Sequence, residues 1–129
     1  MFINLSNHPS EKWSDKQLEE AKKYGDVVDM QFPQISTELT SADIDALVFE
    51  YYLKIKELIP VDFFKREVKK SFVVMVQGEF IFTYRLVSLL KNEEIMAVAA
   101  RTERVVKEIV EDGIPKKVSE FNFAGFMEY

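Results

Sequence analysis

The sequence contains no cysteine and only one histidine, four glycines and four prolines in 129 residues. Without cysteine, disulfide bonds and thiolate metal sites are excluded. No window contains the ~18 consecutive apolar residues that a membrane-spanning helix needs. The first residues, MFINLSN, do not combine a basic segment with an apolar one, so no secretory signal is expected. These absences predict a cytoplasmic protein without a membrane segment.

The chain also lacks an excess of positive charge: its formal net charge is −5 at pH 7. A protein that coats duplex DNA or RNA gains most of its affinity from neutralising phosphates, so that class of protein is not expected. A small anion in a local positive pocket is still compatible with this charge. A short basic run comprising Lys65, Arg66, Lys69 and Lys70 is interpreted as a solvated segment before a strand.

Several catalytic motifs are absent from the chain. It contains no G-x-G-x-x-G, no Walker loop, no H-E-x-x-H and no G-x-S-x-G. Asp26 and Asp29 flank a predicted strand and are interpreted as turn and edge residues rather than metal ligands. We therefore expect no metal and no cofactor. The length suits one domain, spanning residues 1–129, that buries roughly two-thirds of the surface of the unfolded chain.

The apolar pattern predicts strands and helices in alternation. Strands are predicted at 2–6, 26–32, 71–76 and 95–100, and helices at about 14–25, 41–58 and 80–91. The continuous apolar runs of the last two strands are typical of strands buried on both faces of a sheet. This order predicts an α/β fold, a Rossmann-like three-layer sandwich with a mostly parallel sheet in the order 2-1-3-4.

The segment from Glu103 onwards allows two interpretations. One is a helix that ends at Gly113, with an apolar stripe formed by Val105, Val106, Ile109 and Val110. The same β-branched residues favour a strand, and Asp112-Gly113 is a hairpin turn signal. Because the return segment is rich in phenylalanine, we favour a C-terminal β-hairpin extension.

Three polar segments follow three of the predicted strands: SNHP (6–9), QGE (77–79) and RTER (101–104). Ligands of open α/β sheets bind at the carboxyl ends of the strands, where the strand order reverses. We therefore hypothesise that these segments converge on one hollow. His8, with Ser6 and Asn7 before it, is suited to proton transfer near neutral pH. The alternative is that His8 is an ordinary surface histidine.

The elbow Gln77-Gly78-Glu79 separates an apolar strand from a helix. The amides at the start of that helix can hold a phosphate, and glycine lets a ligand approach the backbone. Alternatively, the elbow is a plain turn in which Glu79 is a favourable negative charge at the helix start.

Arg101, Thr102 and Arg104 are expected immediately after the fourth strand. Two guanidinium groups and a hydroxyl suit phosphate contacts there. The alternative is a solvated cap in which Arg101 pairs with Glu103 or Glu79.

These segments resemble a known family. NLSNHPS after the first strand, FP after the second, VQGEF after the third, AARTER after the fourth and the aromatic end FNFAGFMEY are similar to stand-alone CRISPR-associated proteins of the Rossmann-like class. That class is related to the CARF domain and its ring nucleases. The resemblance spans nearly the whole chain and implies a single CARF-like domain.

The resemblance implies that the protein binds cyclic oligoadenylate, the second messenger of type III CRISPR systems, as a homodimer. It implies metal-independent cleavage, in which a ribose 2′-hydroxyl attacks the neighbouring phosphorus and leaves a 2′,3′-cyclic phosphate. The implied catalytic residues are Asn7, His8 and Arg101, and the implied ligand-binding residues are Ser6, Gln77, Gly78, Glu79, Thr102 and Arg104.

Two other functions remain open from the residues alone. The first is a module of the same fold that senses or sequesters the nucleotide without cleaving it. The second is an interaction protein whose aromatic tail, with Phe121, Phe123 and Phe126, forms a partner surface. Phe63 and Phe64 are expected mostly in the core, as is the aromatic tail by default.

Overall fold

The structure is a computed structural model, and it describes residues 1–60 and 71–129. Phe63, Phe64 and the basic run at 65–70 lie outside the described residues. In chain order the elements are β1 (Phe2–Ser6), a 3-10 turn (Ser10–Lys12), α1 (Asp15–Lys22), β2 (Val27–Gln31), α2 (Ser41–Glu57), β3 (Val73–Gln77), α3 (Phe80–Asn92), β4 (Met96–Glu111) and β5 (Ile114–Glu128).

The helices begin where the sequence supplies capping side chains. The Ser14 hydroxyl accepts a hydrogen bond from the Gln17 amide at the start of α1. Thr40 and Asp43 form a complete capping box at α2, and the hydrogen bonds from Thr40 lower the pKa of Asp43. The three predicted helices are therefore confirmed. No helix in the described part of the chain is long and apolar enough to cross a membrane.

The protein is α/β, with one five-stranded sheet in the order β2-β1-β3-β4-β5. β1 pairs in parallel with β2 and β3, and β3 pairs in parallel with β4. β5 is antiparallel to β4. The predicted order 2-1-3-4 is confirmed, and β5, the second strand of the C-terminal hairpin, is the fifth strand of the sheet. In this register Ser6 lies between Gln31 on one neighbouring strand and Gln77 on the other.

Helices pack on both faces of the sheet. On one face α2 and α3 pack on the alternate side chains Ile3 and Leu5 of β1, together with those of β3. On the opposite face α1 packs through Ala21 on Phe2 and Met75. Alternation along each short parallel strand thus supplies two apolar surfaces, as expected for strands covered on both sides.

β4 does not end at residue 100, as the sequence had suggested, but continues to Glu111. It pairs with β3 only as far as Val98 and afterwards with β5 alone. Asp112 and Gly113 form the two-residue turn with positive φ angles of 54° and 76°, which such a hairpin requires. The helical alternative at 103–111 is therefore wrong. We call residues 103–120, which are exposed except for the partly exposed Val105, the arm.

Candidate functional site

A hollow of about 580 Å³ lies on the α1 side of the sheet, at the carboxyl ends of β1 and β3. We call it the α1-face pocket. Its volume falls within the ~300–1,000 Å³ that small-molecule sites usually occupy. The lining comprises Ser6, His8, Lys12, Trp13, Ser14, Gln17, Met75, Gln77, Ala100, Thr102, Phe121, Asn122 and Phe123. The pocket is thus built from the three segments predicted from the sequence, together with the start of α1 and the base of the arm.

A polar network under this pocket fixes the loop after β1. Asn4 is 1% exposed. Its amide nitrogen donates to an Asp29 carboxylate oxygen at 2.8 Å and to the His8 carbonyl at 2.9 Å. Its amide oxygen accepts from the Ser6 hydroxyl at 2.7 Å. Both N–H groups and the oxygen of this buried amide thus have hydrogen-bond partners, and these bonds hold the loop in one conformation.

Asp29 extends the network to the other side of the loop. Its carboxylate accepts from the Ser10 hydroxyl at 2.9 Å and from the Ser10 amide at 3.2 Å. Asp29 lies in the edge strand β2, as predicted, and its carboxylate also joins β2 to the segment that enters α1.

His8 is held through its main chain and presents its ring to the pocket. Its carbonyl accepts from the Trp13 indole nitrogen at 3.1 Å as well as from Asn4, and its amide donates to the Ser6 hydroxyl at 3.2 Å. The side chain is exposed and lines the α1-face pocket. A histidine on a fixed backbone at the rim of a hollow is suited to proton transfer with a bound ligand.

The side-chain amide of Gln77 is hydrogen-bonded to the backbone of β4, which leaves only part of it for a ligand. The Ala100 amide donates to its side-chain oxygen at 3.0 Å, and its side-chain nitrogen donates to the Ala100 carbonyl at 3.4 Å. The side chain thus takes the place of a backbone neighbour where β3 ends and β4 continues. We therefore correct its predicted role: the oxygen of Gln77 supports β4, and its amide nitrogen has one further hydrogen to donate.

The elbow after β3 is explained by packing. A β-carbon on Gly78 would lie 2.4 Å from the Phe32 ring, so only glycine leaves room for that buried aromatic. Glu79 caps α3, accepting from the Ile81 amide at 3.0 Å and from the Phe82 amide at 2.8 Å. The prediction that these helix amides hold a phosphate is wrong, because the Glu79 carboxylate already occupies the anion position.

The RTER segment does not follow a strand but lies within β4. Thr102 lines the α1-face pocket, whereas Arg101 and Arg104 are not among its lining residues. Arg104 donates to the Ser119 hydroxyl of β5 at 3.0 Å and 3.2 Å. The expected position of the two guanidinium groups at a strand end is therefore wrong, because the β-branched residues that follow extend the strand.

The remaining predicted residues border two other hollows. Asn7 and Glu79 line one of about 420 Å³ beside Phe32. Gly78 lines another of about 470 Å³, beside Tyr129. The Tyr129 hydroxyl donates to the Val76 carbonyl at 2.5 Å, and burial raises the pKa of this phenol. The structure thus brings Ser6, His8, Gln77 and Thr102 together in the α1-face pocket, and the other five predicted residues are not among the residues that line it.

Sequence reasoning missed two important members of the pocket. Lys12 is the only cation in the lining, and Trp13 is a large aromatic beside it. Both stand in the 3-10 turn and the link to α1, which carried no motif. Phe121 was expected in the core by default, but it is 68% exposed at the pocket.

The pocket contains no set of metal ligands. Within residues 1–60 and 71–129, no group of three or more histidine, aspartate or glutamate side chains is placed to hold a metal ion. The pocket lining contains no carboxylate. Binding there therefore relies on one ammonium group, one imidazole, neutral hydrogen-bonding groups and aromatic faces.

Comparison with known proteins gives a family but no activity. The family model described as "Uncharacterized protein MJ1673 family" matches residues 1–127. The protein described as "Uncharacterized protein MJ1673" from Methanocaldococcus jannaschii is 30% identical over 134 residues, covering 100% of this chain and 95% of the relative. No solved structure matches the chain. The match over almost the full length of both chains shows that this protein belongs to the MJ1673 family.

Proposed function

We propose that the α1-face pocket binds one nucleotide unit of a cyclic oligoadenylate, and that the protein is a metal-independent ring nuclease. One observation carries the proposal: His8, Gln77 and Thr102 come from three separate segments and line the same hollow as Lys12 and Trp13. The sequence resemblance to CARF-related proteins supplies the identity of the ligand. The pocket supplies a place of suitable size and chemistry.

The lining matches the parts of a nucleotide. Trp13 and Phe121 offer aromatic surface on which a base can stack, a contact worth about 1–3 kcal/mol per base in single-stranded complexes. Lys12 offers a positive charge for a phosphate. The hydroxyl of Thr102 and the amide of Asn122 offer hydrogen bonds to the base or to the ribose.

Cleavage requires little covalent participation from the protein. In the proposed reaction the ribose 2′-oxygen forms a bond to phosphorus and the bond from phosphorus to the 5′-oxygen breaks. His8 accepts the proton from the 2′-hydroxyl, and the departing 5′-oxygen receives a proton from water. Lys12 offsets the charge on the phosphoryl oxygens. Arg101, which the resemblance implied as catalytic, has no part in this scheme because it does not line the pocket.

The proposed fold assignment is correspondingly specific. We assign the chain to the Rossmann-like class as a single CARF-like domain that acts in the cytoplasm as a homodimer. The order β2-β1-β3-β4 and the polar residues at the carboxyl ends of β1 and β3 support this assignment.

A second candidate is a module that binds the nucleotide without cleaving it. The observation in its favour is that, among the described residues, the pocket lining contains one imidazole, that of His8, and no carboxyl group. No second group is therefore in place to protonate the leaving oxygen. Recovery of the intact ring after tight binding would favour this candidate over the nuclease.

The test is a thermal-shift panel of linear and cyclic adenylates, followed by product analysis in EDTA. Ligand at about a hundred times its dissociation constant stabilises a protein by about 2.7 kcal/mol, which gives a clear shift. We expect Lys12→Ala to abolish the shift and His8→Ala to abolish cleavage while leaving binding. Lys16→Ala is the matched control, because Lys16 is an exposed lysine of α1 that does not line the pocket.

Two results would contradict the proposal. One is the absence of a thermal shift with every adenylate, together with a stable complex formed through residues 118–129, which would indicate an interaction protein. The other is full binding and cleavage by both the Lys12→Ala and the His8→Ala variants.

A further inference from the structure

The arm (residues 103–120) lacks cover in the described structure. Five large apolar side chains of the arm are exposed: Val106, Ile109, Val110, Ile114 and Val118. Its two strands contact each other along their length, and most of their side chains are exposed on both faces. A two-stranded hairpin alone in water is only marginally stable. These observations indicate that the arm has a partner.

The outer edge of β5 is the part of the arm that can accept another strand. Glu111 and Ile114 flank the two-residue turn, so they form the pair that exchanges both backbone hydrogen bonds. By alternation, the backbone groups of Lys117, Ser119 and Phe121 point away from β4. Pro115 points the same way but has no N–H to donate. An edge of this kind is a template for strand addition.

We propose that β5 pairs with β5 of a second copy of this chain, antiparallel and edge to edge, about a two-fold axis at Val118. In this register Val118 lies opposite Val118 of the second copy. Lys116 lies opposite Glu120 of the second copy, and the reciprocal pair forms by symmetry. The Lys116–Glu120 pair therefore occurs twice, on either side of the axial Val118 pair, as expected for a self-complementary interface.

Charge selects this register over its neighbours. Within one chain Lys116 pairs with Glu111, and Lys107 pairs with Glu120, each at 3.0 Å. Both intrachain pairs are diagonal in the hairpin register. With the axis at Val118, the interchain pair connects them, so that acidic and basic groups alternate from Glu111 and Lys116 to Glu120 and Lys107 of the second copy. An axis at Lys117 would instead place Lys117 opposite itself, and an axis at Glu120 would place two carboxylates together. Opposite charges stabilise cross-strand pairs and like charges destabilise them.

The proposed pairing has a defined end and reaches the pocket. Pro115 lies opposite Phe121 of the second copy, where its missing N–H ends the ladder. The two-fold axis closes the assembly at two chains, because each chain uses its one β5 edge. Ile114 of the second copy comes to lie opposite Asn122, which lines the α1-face pocket. The second copy thus adds the tip of its arm to the rim of the site, a consequence that does not depend on which ligand the pocket binds.

Charge reversal gives a test in which two defective variants repair each other. Lys116→Glu alone places carboxylates opposite each other at both pairs of the homodimer, and Glu120→Lys alone places ammonium groups opposite each other. In a mixture of the two variants both interchain pairs are attractive again. Repulsion inside each chain is the same alone and in the mixture, so the comparison isolates the contact between chains.

Sedimentation velocity over a range of concentrations measures the outcome. We expect a dimer for the unmodified chain. For each variant alone we expect a dissociation constant at least roughly tenfold larger, since two cross-strand pairs are reversed. We expect an equimolar mixture to recover most of the affinity. Lys117→Glu is the matched control: it reverses a neighbouring charge on the same strand, but it lies opposite Ser119 and not opposite an acidic residue.

Three results would overturn the proposal. The first is an unmodified chain that stays monomeric at the highest concentration reached. The second is a pair of charge-reversed variants that each dimerise as tightly as the unmodified chain, which would place the interface elsewhere. The third is a Lys117→Glu variant whose dimer is weakened as much as that of Lys116→Glu, which would indicate an effect of net charge rather than of the pair between Lys116 and Glu120.

Discussion

The two faces of the sheet differ in how completely helices cover them. One face carries α2 and α3, with 17 and 13 residues, whereas the other carries α1, with 8 residues. Of these, α3 buries Phe82, Leu86 and Leu90 completely. On the other face the short helix leaves a hollow of about 580 Å³. The candidate site is thus located beside the start of the one short helix on this face of the sheet.

A single strand already shows this difference. In β1, Ile3 and Leu5 face the α2–α3 layer, and both are 0% exposed. Asn4 and Ser6 alternate with them and face the α1 side, where they bond to each other and to the next loop. Because successive side chains of a strand point to opposite faces, one short strand supplies the apolar core of one face and the polar floor of the other.

The largest expected difference between the two faces is in the stability lost when one leucine on each face is truncated. Leu86→Ala removes a fully buried side chain from α3, and we expect unfolding to cost about 2–5 kcal/mol less than in the unmodified protein. Leu18→Ala removes a half-buried side chain from α1 and should cost less than half as much. Urea unfolding followed by circular dichroism gives both values. Equal losses would show that the two faces are equally well packed.

The next prediction concerns the elbow on the well-covered face. In Gly78→Ala the new β-carbon meets the Phe32 ring at 2.4 Å, so we expect a loss of about 1–3 kcal/mol from overpacking. The proposed binding of a nucleotide should be unchanged, because the elbow glycine does not line the α1-face pocket. Phe32→Leu in the same chain should return part of the loss. Reduced binding with unchanged stability would instead assign Gly78 to a ligand.

The fold could be predicted largely from local pattern, and the limits of that prediction are physical. Periodicity and capping residues gave the helices and the inner strands, because burial of one face fixes the spacing of apolar residues. The length of β4 was harder to predict. Arg101 to Arg104 is polar, and a polar segment in an exposed ribbon has the same composition as a loop. Its extended form depends on pairing with β5, which local sequence does not report.

The site could be predicted in part for a related reason. The topological switch point correctly located His8 and Thr102 at a shared hollow. Gln77 and Glu79 were assigned to a ligand because composition shows that a polar group is present but not what it contacts. In the structure the first bonds Ala100 and the second caps α3. Lys12 was missed because a single lysine before a helix carries no pattern.

A smaller loss of stability is expected from the polar network on the α1 side of the sheet. Asp29→Ala removes the acceptor for Ser10 and for the buried Asn4 amide, leaving that amide without one of its partners. We expect a loss of about 1 kcal/mol, at the low end for an unsatisfied buried group because Asp29 itself is exposed. Ligand binding should weaken as well, since the loop that carries His8 is released. Glu19→Ala, an exposed carboxylate on α1, is the control, and a drop in stability as large as that of Asp29→Ala would count against the network.

The smallest effect concerns pH and lies on the α2–α3 side. Burial raises the pKa of Tyr129 above the ordinary value near 10, so the folded state retains the phenolic proton that the unfolded chain loses. The stabilisation is complete below about pH 10 and is lost as the pH rises through the higher folded value, because the unfolded state then binds fewer protons. Deprotonation also removes the donor to the Val76 carbonyl. Tyr129→Phe should therefore flatten the fall of stability above pH 10, measured by urea unfolding at each pH. Tyr84→Phe, at a 74% exposed position, should leave that fall unchanged, and an equal flattening in both variants would show that Tyr129 has no special role.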